Sequence, residues 1–246
     1  MTRMTAADRR TALEARYPRW IRRTTAQLLD TVAAEYPDRP LVLTDDHYYT
    51  YREIADRSLR LAAGLIALGV RPGEHVAVDM ANHPDTVSLR FAIARVGAVS
   101  VSVNVQLRHE ELAYILAQSD ATVLITMDRF RDVDYLDALD RIAPGWDRRG
   151  PGRAGGTSLP LLRDVLVAGT NGPPERGRPF EELADLGASL GDEQARLATW
   201  DADPLEVSDL LYTSGTTGHP KGVLLQHDAV LRTAYASAYA RAFGDG

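Results

Sequence analysis

Arg95-Val-Gly-Ala-Val-Ser-Val-Ser-Val-Asn104, with Glu110-Glu-Leu-Ala-Tyr-Ile115 close behind, holds the pattern that decides the fold. Leu89, Ile93 and Val96 recur at helical spacing over Asp85–Val96, and Gly97 then stops that helix. The next run, Ala98–Val105, is rich in valine and reads as a buried strand, and Glu110–Gln118 returns to helical spacing. Val76–Val78 before this segment and Thr122–Thr126 after it read as further strands. Strands separated by helices of this length predict an α/β fold, with mainly parallel sheets and helices flanking both faces.

Upstream, Ala26–Glu35 places Leu28, Leu29 and Val32 on one helical face and stops before Pro37. Leu41–Thr44 and His47–Thr50, joined by Asp45-Asp46, read as a hairpin. Thr50-Tyr-Arg-Glu53 is a capping box, in which hydroxyl and carboxylate satisfy the orphan amides of a helix start. That helix keeps Ile54, Leu61, Leu65 and Leu68 to one side and ends at Gly69, a left-handed cap. Downstream, Phe130, Val133, Leu136 and Leu139 mark another helix. Two Gly/Pro/Arg-rich stretches, Pro144–Gly156 and Gly169–Pro179, read as surface loops without core-forming capacity. They flank a lone apolar strand, Leu161–Val167, expected in the same sheet. A helix near Phe180–Leu190, strands at Val207–Tyr212 and Val223–Leu225, and a final helix over Ala229–Phe243 complete the pattern.

Composition narrows the function classes. The 246 residues are 45% apolar and 25% charged, ordinary for a globular chain able to bury a core. A net charge of −6 argues against a general nucleic-acid binder. Absence of cysteine excludes disulfides and thiolate metal sites and suits a cytoplasmic location. No apolar run reaches the ~18 residues of a membrane span. Residues 1–23 carry seven arginines against Asp8 and Glu14, without the apolar core of a secretory signal. They read as a surface-bound tail whose Trp20 and Ile21 pack on the domain formed by residues 24–246.

The chemistry concentrates in Tyr212-Thr-Ser-Gly-Thr-Thr-Gly-His-Pro-Lys-Gly222. Lys221 is the only lysine of the chain; the other 27 fixed cations are arginine. An ammonium is a compact point charge on a flexible stem, unlike the planar guanidinium. Glycines let a backbone approach a ligand closely, and hydroxyls and amides bond phosphate oxygens. The loop is not a Walker A sequence, because Lys221 is followed by Gly222 rather than a magnesium-binding hydroxyl. Nor is it a nucleophile elbow, since Tyr212 stands where the first glycine around Ser214 belongs. His109-Glu110-Glu111 does not begin a zinc motif, because Ala113 occupies the second histidine position. Asp45–Asp46, Glu110–Glu111 and Glu181–Glu182 read as turns or solvated faces.

The eleven-residue loop resembles the signature of the acyl-adenylate-forming ligases, among them acyl-CoA synthetases, nonribosomal adenylation domains and luciferases. Thr50-Tyr-Arg-Glu-Ile54 resembles an early element of that family, and Arg95–Asn104 with Glu110–Ile115 a second, in the acyl-CoA-synthetase style. The resemblance runs in order from about residue 24 to the C-terminus. It implies ATP-dependent adenylation of a carboxylic acid, release of pyrophosphate, then acyl transfer to coenzyme A. By the same resemblance, Thr213, Ser214, Gly215, Thr216, Thr217, Gly218 and Lys221 contact the ATP phosphates, and Lys221 acts catalytically on the departing pyrophosphate. His219 falls at the family's variable position and reads as a solvent-facing loop residue; His227 reads as a cap or packing residue.

Members of that family continue well beyond the signature loop. The carboxylate pocket, the adenine site, the Mg2+ contact and a second catalytic lysine are expected outside these 246 residues, so no metal ligand is assigned. Three expectations follow. The chain is part of a ligase whose remainder is lost or separately encoded, a non-catalytic remnant, or an interaction module whose sheet edge pairs with a partner. The second element points, for a complete enzyme, to a fatty or other hydrophobic acid.

Overall fold

The computed structural model describes residues 4–16, 20–149, 152–189, 202–213 and 219–242. Its centre is a seven-stranded sheet in the order β11-β10-β4-β3-β5-β8-β9. These are β3 (His75–Asp79), β4 (Val99–Ser102), β5 (Ala121–Met127), β8 (Asp164–Ala168), β9 (Arg178–Pro179), β10 (Val207–Thr213) and β11 (Lys221–Gln226). All neighbouring pairs are parallel except β10 and β11.

Alternation along the strands sends side chains to two separate cores. Ala77, Val101, Leu124 and Val165 face α5 (His109–Gln118) and α6 (Tyr135–Ile142). Val76, Val78, Val123, Ile125 and Leu166 face α3 (Tyr51–Ala67), α4 (Pro84–Arg95) and α7 (Glu182–Ala188). The helices therefore lie on both faces of a mainly parallel sheet, as the alternating pattern predicts. Leu61, Leu65, Leu89 and Ile93 are fully buried.

Local chemistry sets the helix starts. At α3, Thr50 Oγ1 accepts from Glu53 N at 3.2 Å and Glu53 Oε2 accepts from Thr50 N at 2.7 Å. The second bond holds the Glu53 carboxyl below the usual range. The same reciprocal box, Thr24 with Gln27, opens α2 (Thr25–Glu35). The hairpin between these helices forms as β1 (Pro40–Leu43) and β2 (Tyr48–Thr50). Gly69 takes a positive φ of 81° after α3, as its cap position requires.

Three sequence expectations need correction. The helix marked from Phe130 begins only at Tyr135, where the Asp134 carboxylate accepts from Asp137 N at 2.9 Å. Phe130 and Val133 sit instead in a two-residue ladder, β6 (Arg129–Phe130) with β7 (Val133–Asp134), turned by Arg131 at φ 55°. The stretch Pro144–Gly156 does contribute to the core: Trp146 is 3% exposed and Ala154 6%. The second stretch closes over Trp146, since a Cβ on Gly177 would stand 2.8 Å from the indole ring. Ile21 is left 62% exposed, whereas Trp20 packs against Tyr235. Within the arginine-rich N-terminal segment, Ala6–Arg16 forms a helix, α1, against α8 (His227–Arg241). No helix among the described residues is long and apolar enough to cross a membrane.

Candidate functional site

The signature loop joins β10 to β11, and register brings its two ends together. Tyr212 faces Gly222 across the ladder and Thr213 faces Lys221. The Thr213 hydroxyl points back to the Lys221 carbonyl at 3.5 Å. Because β10 runs parallel to β4, pairing Leu211 with Ser102, Thr213 extends past the carboxyl ends of β4 and its neighbour β3. Open α/β sheets bind ligands outside those ends. Lys221, the first residue of β11, is exposed there. Ser214, Gly215, Thr216, Thr217 and Gly218 lie outside the described residues. The structure thus brings together Thr213 and Lys221 of the expected site residues.

Two residues to which the sequence reading gave no role hold the ends of this loop. Tyr212 donates its hydroxyl to Gln118 Oε1 on α5. Burial, reinforced by the neighbouring Tyr114 and Asp120, raises the Tyr212 pKa, which keeps the hydroxyl a donor. On the other side of the loop, His219 is exposed as expected but stacks on Tyr114, with ring centroids 4.7 Å apart and planes 16° from parallel. Gly222 fills a tight position: a Cβ there would stand 2.9 Å from Leu210 Cδ1 and 3.5 Å from both Gln118 Oε1 and Tyr212 Cζ. Tyr114 falls within the second family element, Glu110–Ile115, though no role was read for it, and no motif marks Gln118. Helical spacing of four places both on one face of α5.

Behind the hairpin, a buried polar group ties β10 to the N-terminal helices. Asp209, 1% exposed, meets Arg90 Nη2 of α4 at 2.7 Å and accepts from Ser208 Oγ at 2.6 Å. His227 is also 1% exposed and opens α8; its Nδ1 accepts the Thr25 amide at 3.3 Å and lies 3.2 Å from the Thr25 hydroxyl. Burial lowers the His227 pKa, with Asp209 and Glu206 opposing and Arg90 assisting. His227 is therefore a packing residue, as its position suggested. Beside it, Trp20 Nε1 donates to Asp228 Oδ1 at 2.7 Å, which holds that carboxyl below its usual range together with Arg232.

Among the described residues, an exposed ammonium and a hydroxyl past the carboxyl ends of β4 and β3 suit a phosphate chain and form no nucleophile–base pair. The described residues contain no cluster of three or more His, Cys, Asp or Glu able to hold a metal ion.

Comparison with known proteins gives a consistent pattern. Residues 29–245 match the model of the AMP-binding enzyme family. A Bacillus subtilis (strain 168) protein named as an acyl-CoA synthetase, YngI, is 34% identical over 216 residues, which cover 87% of this chain and 39% of that protein. The Mycobacterium tuberculosis 3-[(3aS,4S,7aS)-7a-methyl-1,5-dioxo-octahydro-1H-inden-4-yl]propanoyl:CoA ligase is 34% identical over 208 residues, covering 83% of this chain and 37% of that ligase. Among solved structures, the anthranilate CoA ligase AuaEII in complex with anthranoyl-AMP superposes with a TM-score of 0.71 at 25% identity, over 94% of this chain and 38% of that one. The chain spans about two fifths of the length of the relatives it matches.

Proposed function

The chain belongs to the AMP-binding enzyme family, and from that premise we propose that it supplies the ATP-phosphate grip of an AMP-forming carboxylate–CoA ligase. The observation that carries this reading is the placement of Thr213 and Lys221, paired across β10–β11, past the carboxyl ends of the central strands β4 and β3. Thr213, Ser214, Gly215, Thr216, Thr217 and Gly218 enfold the β- and γ-phosphates through backbone amides and hydroxyls. Lys221 sets its ammonium against the pyrophosphate as negative charge moves onto that leaving group. The contribution is electrostatic and moves no proton. Magnesium and coenzyme A belong to the complete enzyme, and the described residues contain no metal-ligand cluster to which the ion can be assigned. The substrate is a fatty or other hydrophobic carboxylic acid, a reading favoured by the acyl-CoA-synthetase style of Arg95–Asn104. The 246 residues alone grip nucleotide without completing acyl transfer.

One observation favours a companion reading, an interaction surface. Among the described residues β11 is the outer strand of the sheet, with Val223 42% and Leu224 58% exposed. Such an edge is a template for further polypeptide, including a separately encoded C-terminal part.

The test compares half-reactions in a complete ligase that contains this segment. Lys221→Ala is expected to slow adenylation, read as ATP–pyrophosphate exchange, by ~100-fold, while transfer of a preformed acyl-adenylate to thiol changes little. Equal loss in both half-reactions removes Lys221 from the leaving-group role.

A further inference from the structure

Resting on the phosphate-grip reading, we propose that Tyr114 and Gln118 are positioning residues that clamp the two ends of the signature loop to α5. They stand four residues apart on one helical face. One takes His219, near the far end of the loop, through the Tyr114–His219 stack. The other takes the residue that leads into it, through the Tyr212 hydroxyl on Gln118 Oε1. The β10–β11 ladder already sets the separation of the two ends. What α5 adds is direction, because β10 pairs with β4 only as far as Leu211, and the hairpin end beyond that point can tilt unless a packed helix holds it. Leu112, Ile115 and Leu116 root α5 in the core, each no more than 2% exposed.

The clamp also accounts for the glycine that ends the signature. Gly222 lies opposite Tyr212, and a Cβ at 222 would crowd Leu210, Gln118 and the Tyr212 ring together. Its bare backbone leaves the space through which the tyrosine reaches Gln118. Fixing both ends before nucleotide arrives lowers the ordering cost of binding, so the clamp acts on affinity through preorganisation rather than by touching phosphate.

The solitary lysine makes this measurable in the 246-residue chain. Amine-selective labelling followed by peptide mass spectrometry reads Lys221 alone among side chains, and its protection by MgATP reports binding. Amide hydrogen exchange over residues 210–222, without nucleotide, reports the clamp. Tyr114→Ala and Gln118→Ala are each expected to speed that exchange by about tenfold and to raise the half-protecting MgATP concentration by about tenfold. Tyr114→Phe retains the stack and is expected to behave as the parent, and Tyr212→Phe, which deletes only the hydroxyl, to behave as Gln118→Ala. Parental exchange rates in both alanine variants overturn the clamp. Faster exchange in the variants, with a parent Lys221 that MgATP does not protect, supports the clamp and instead defeats the phosphate-grip reading.

Discussion

Gly64 on α3 and Gly187 on α7 meet backbone to backbone. A Cβ on Gly64 would stand 1.9 Å from the Leu183 carbonyl oxygen, and one on Gly187 2.1 Å from the Arg60 carbonyl oxygen. This contact lets α7 lie close against α3 and seal the core around Leu61, Leu65 and Leu183. Since the obstacle is backbone, no rotamer change relieves it. Gly64→Ala is expected to destabilise the chain by ~3 kcal/mol, measured by urea unfolding. Unchanged stability would mean that the two helices are further apart than described.

Arg95, 4% exposed, donates from Nε to Ser58 Oγ at 2.8 Å and from Nη1 to Asp30 Oδ2 at 2.9 Å, with Nη2 on Asp30 Oδ1. The fork joins α4 to α2 and α3. Asp30→Ala leaves a buried guanidinium without its carboxylate and is expected to cost ~2 kcal/mol, Asp30 itself being half exposed. Arg95→Met, which removes the charge as well, is expected to cost less. The reverse ranking in chemical denaturation would count against desolvation as the cause.

Asp79 ends β3 at 1% exposure, and its Oδ1 has no hydrogen-bond partner. Burial pushes its pKa up to about 7 from 3.8. The folded chain therefore holds a proton that the unfolded chain releases, and stability falls as pH rises from 4 to 7, then levels. Asp79→Asn keeps the shape without the charge. It is expected to exceed the parent in stability by ~2–4 kcal/mol at pH 8, with the difference fading towards pH 4. Parallel unfolding curves for the two proteins at every pH would show that Asp79 stays ionised.

His227 has the opposite sign. Its pKa is lowered by burial, so the unfolded chain binds the proton more readily. Stability that is complete above the unfolded value of 6.5 is lost as pH falls below it towards the folded value. His227→Ala, which also strands the Thr25 amide, is expected to cost ~2 kcal/mol near neutrality and to flatten the acid limb of a melting-temperature profile. A parent profile with no acid-side decline through that range would refute the neutral buried imidazole.

Local signals carried most of the architecture. Thr50 and Glu53 announce a helix start by bonding within four residues, and Gly69 ends that helix by a conformation that other residues resist. Valine-rich runs spaced by helices foretell a parallel sheet because strands buried on both faces lack polar alternation. The Pro144–Gly156 stretch misled for the converse reason. Its glycines and arginines look like solvent-facing chain, yet Trp146 finds its cover in Gly177, thirty-one positions away. Phe130 and Val133 fit helical spacing too, but the Arg131 turn intervenes.

The signature loop's composition, its single lysine and the family it signals were decided by the sequence alone, since glycines, hydroxyls and an ammonium act through their own chemistry wherever they sit. Tertiary structure decided where that loop points and what holds it. Tyr114 and Gln118 lie about a hundred residues from the hairpin they grip, in a helix whose sequence gives neither of them a partner there. Packing of α5 against the sheet brings them to Tyr212 and His219, and that proximity exists only once the chain has folded.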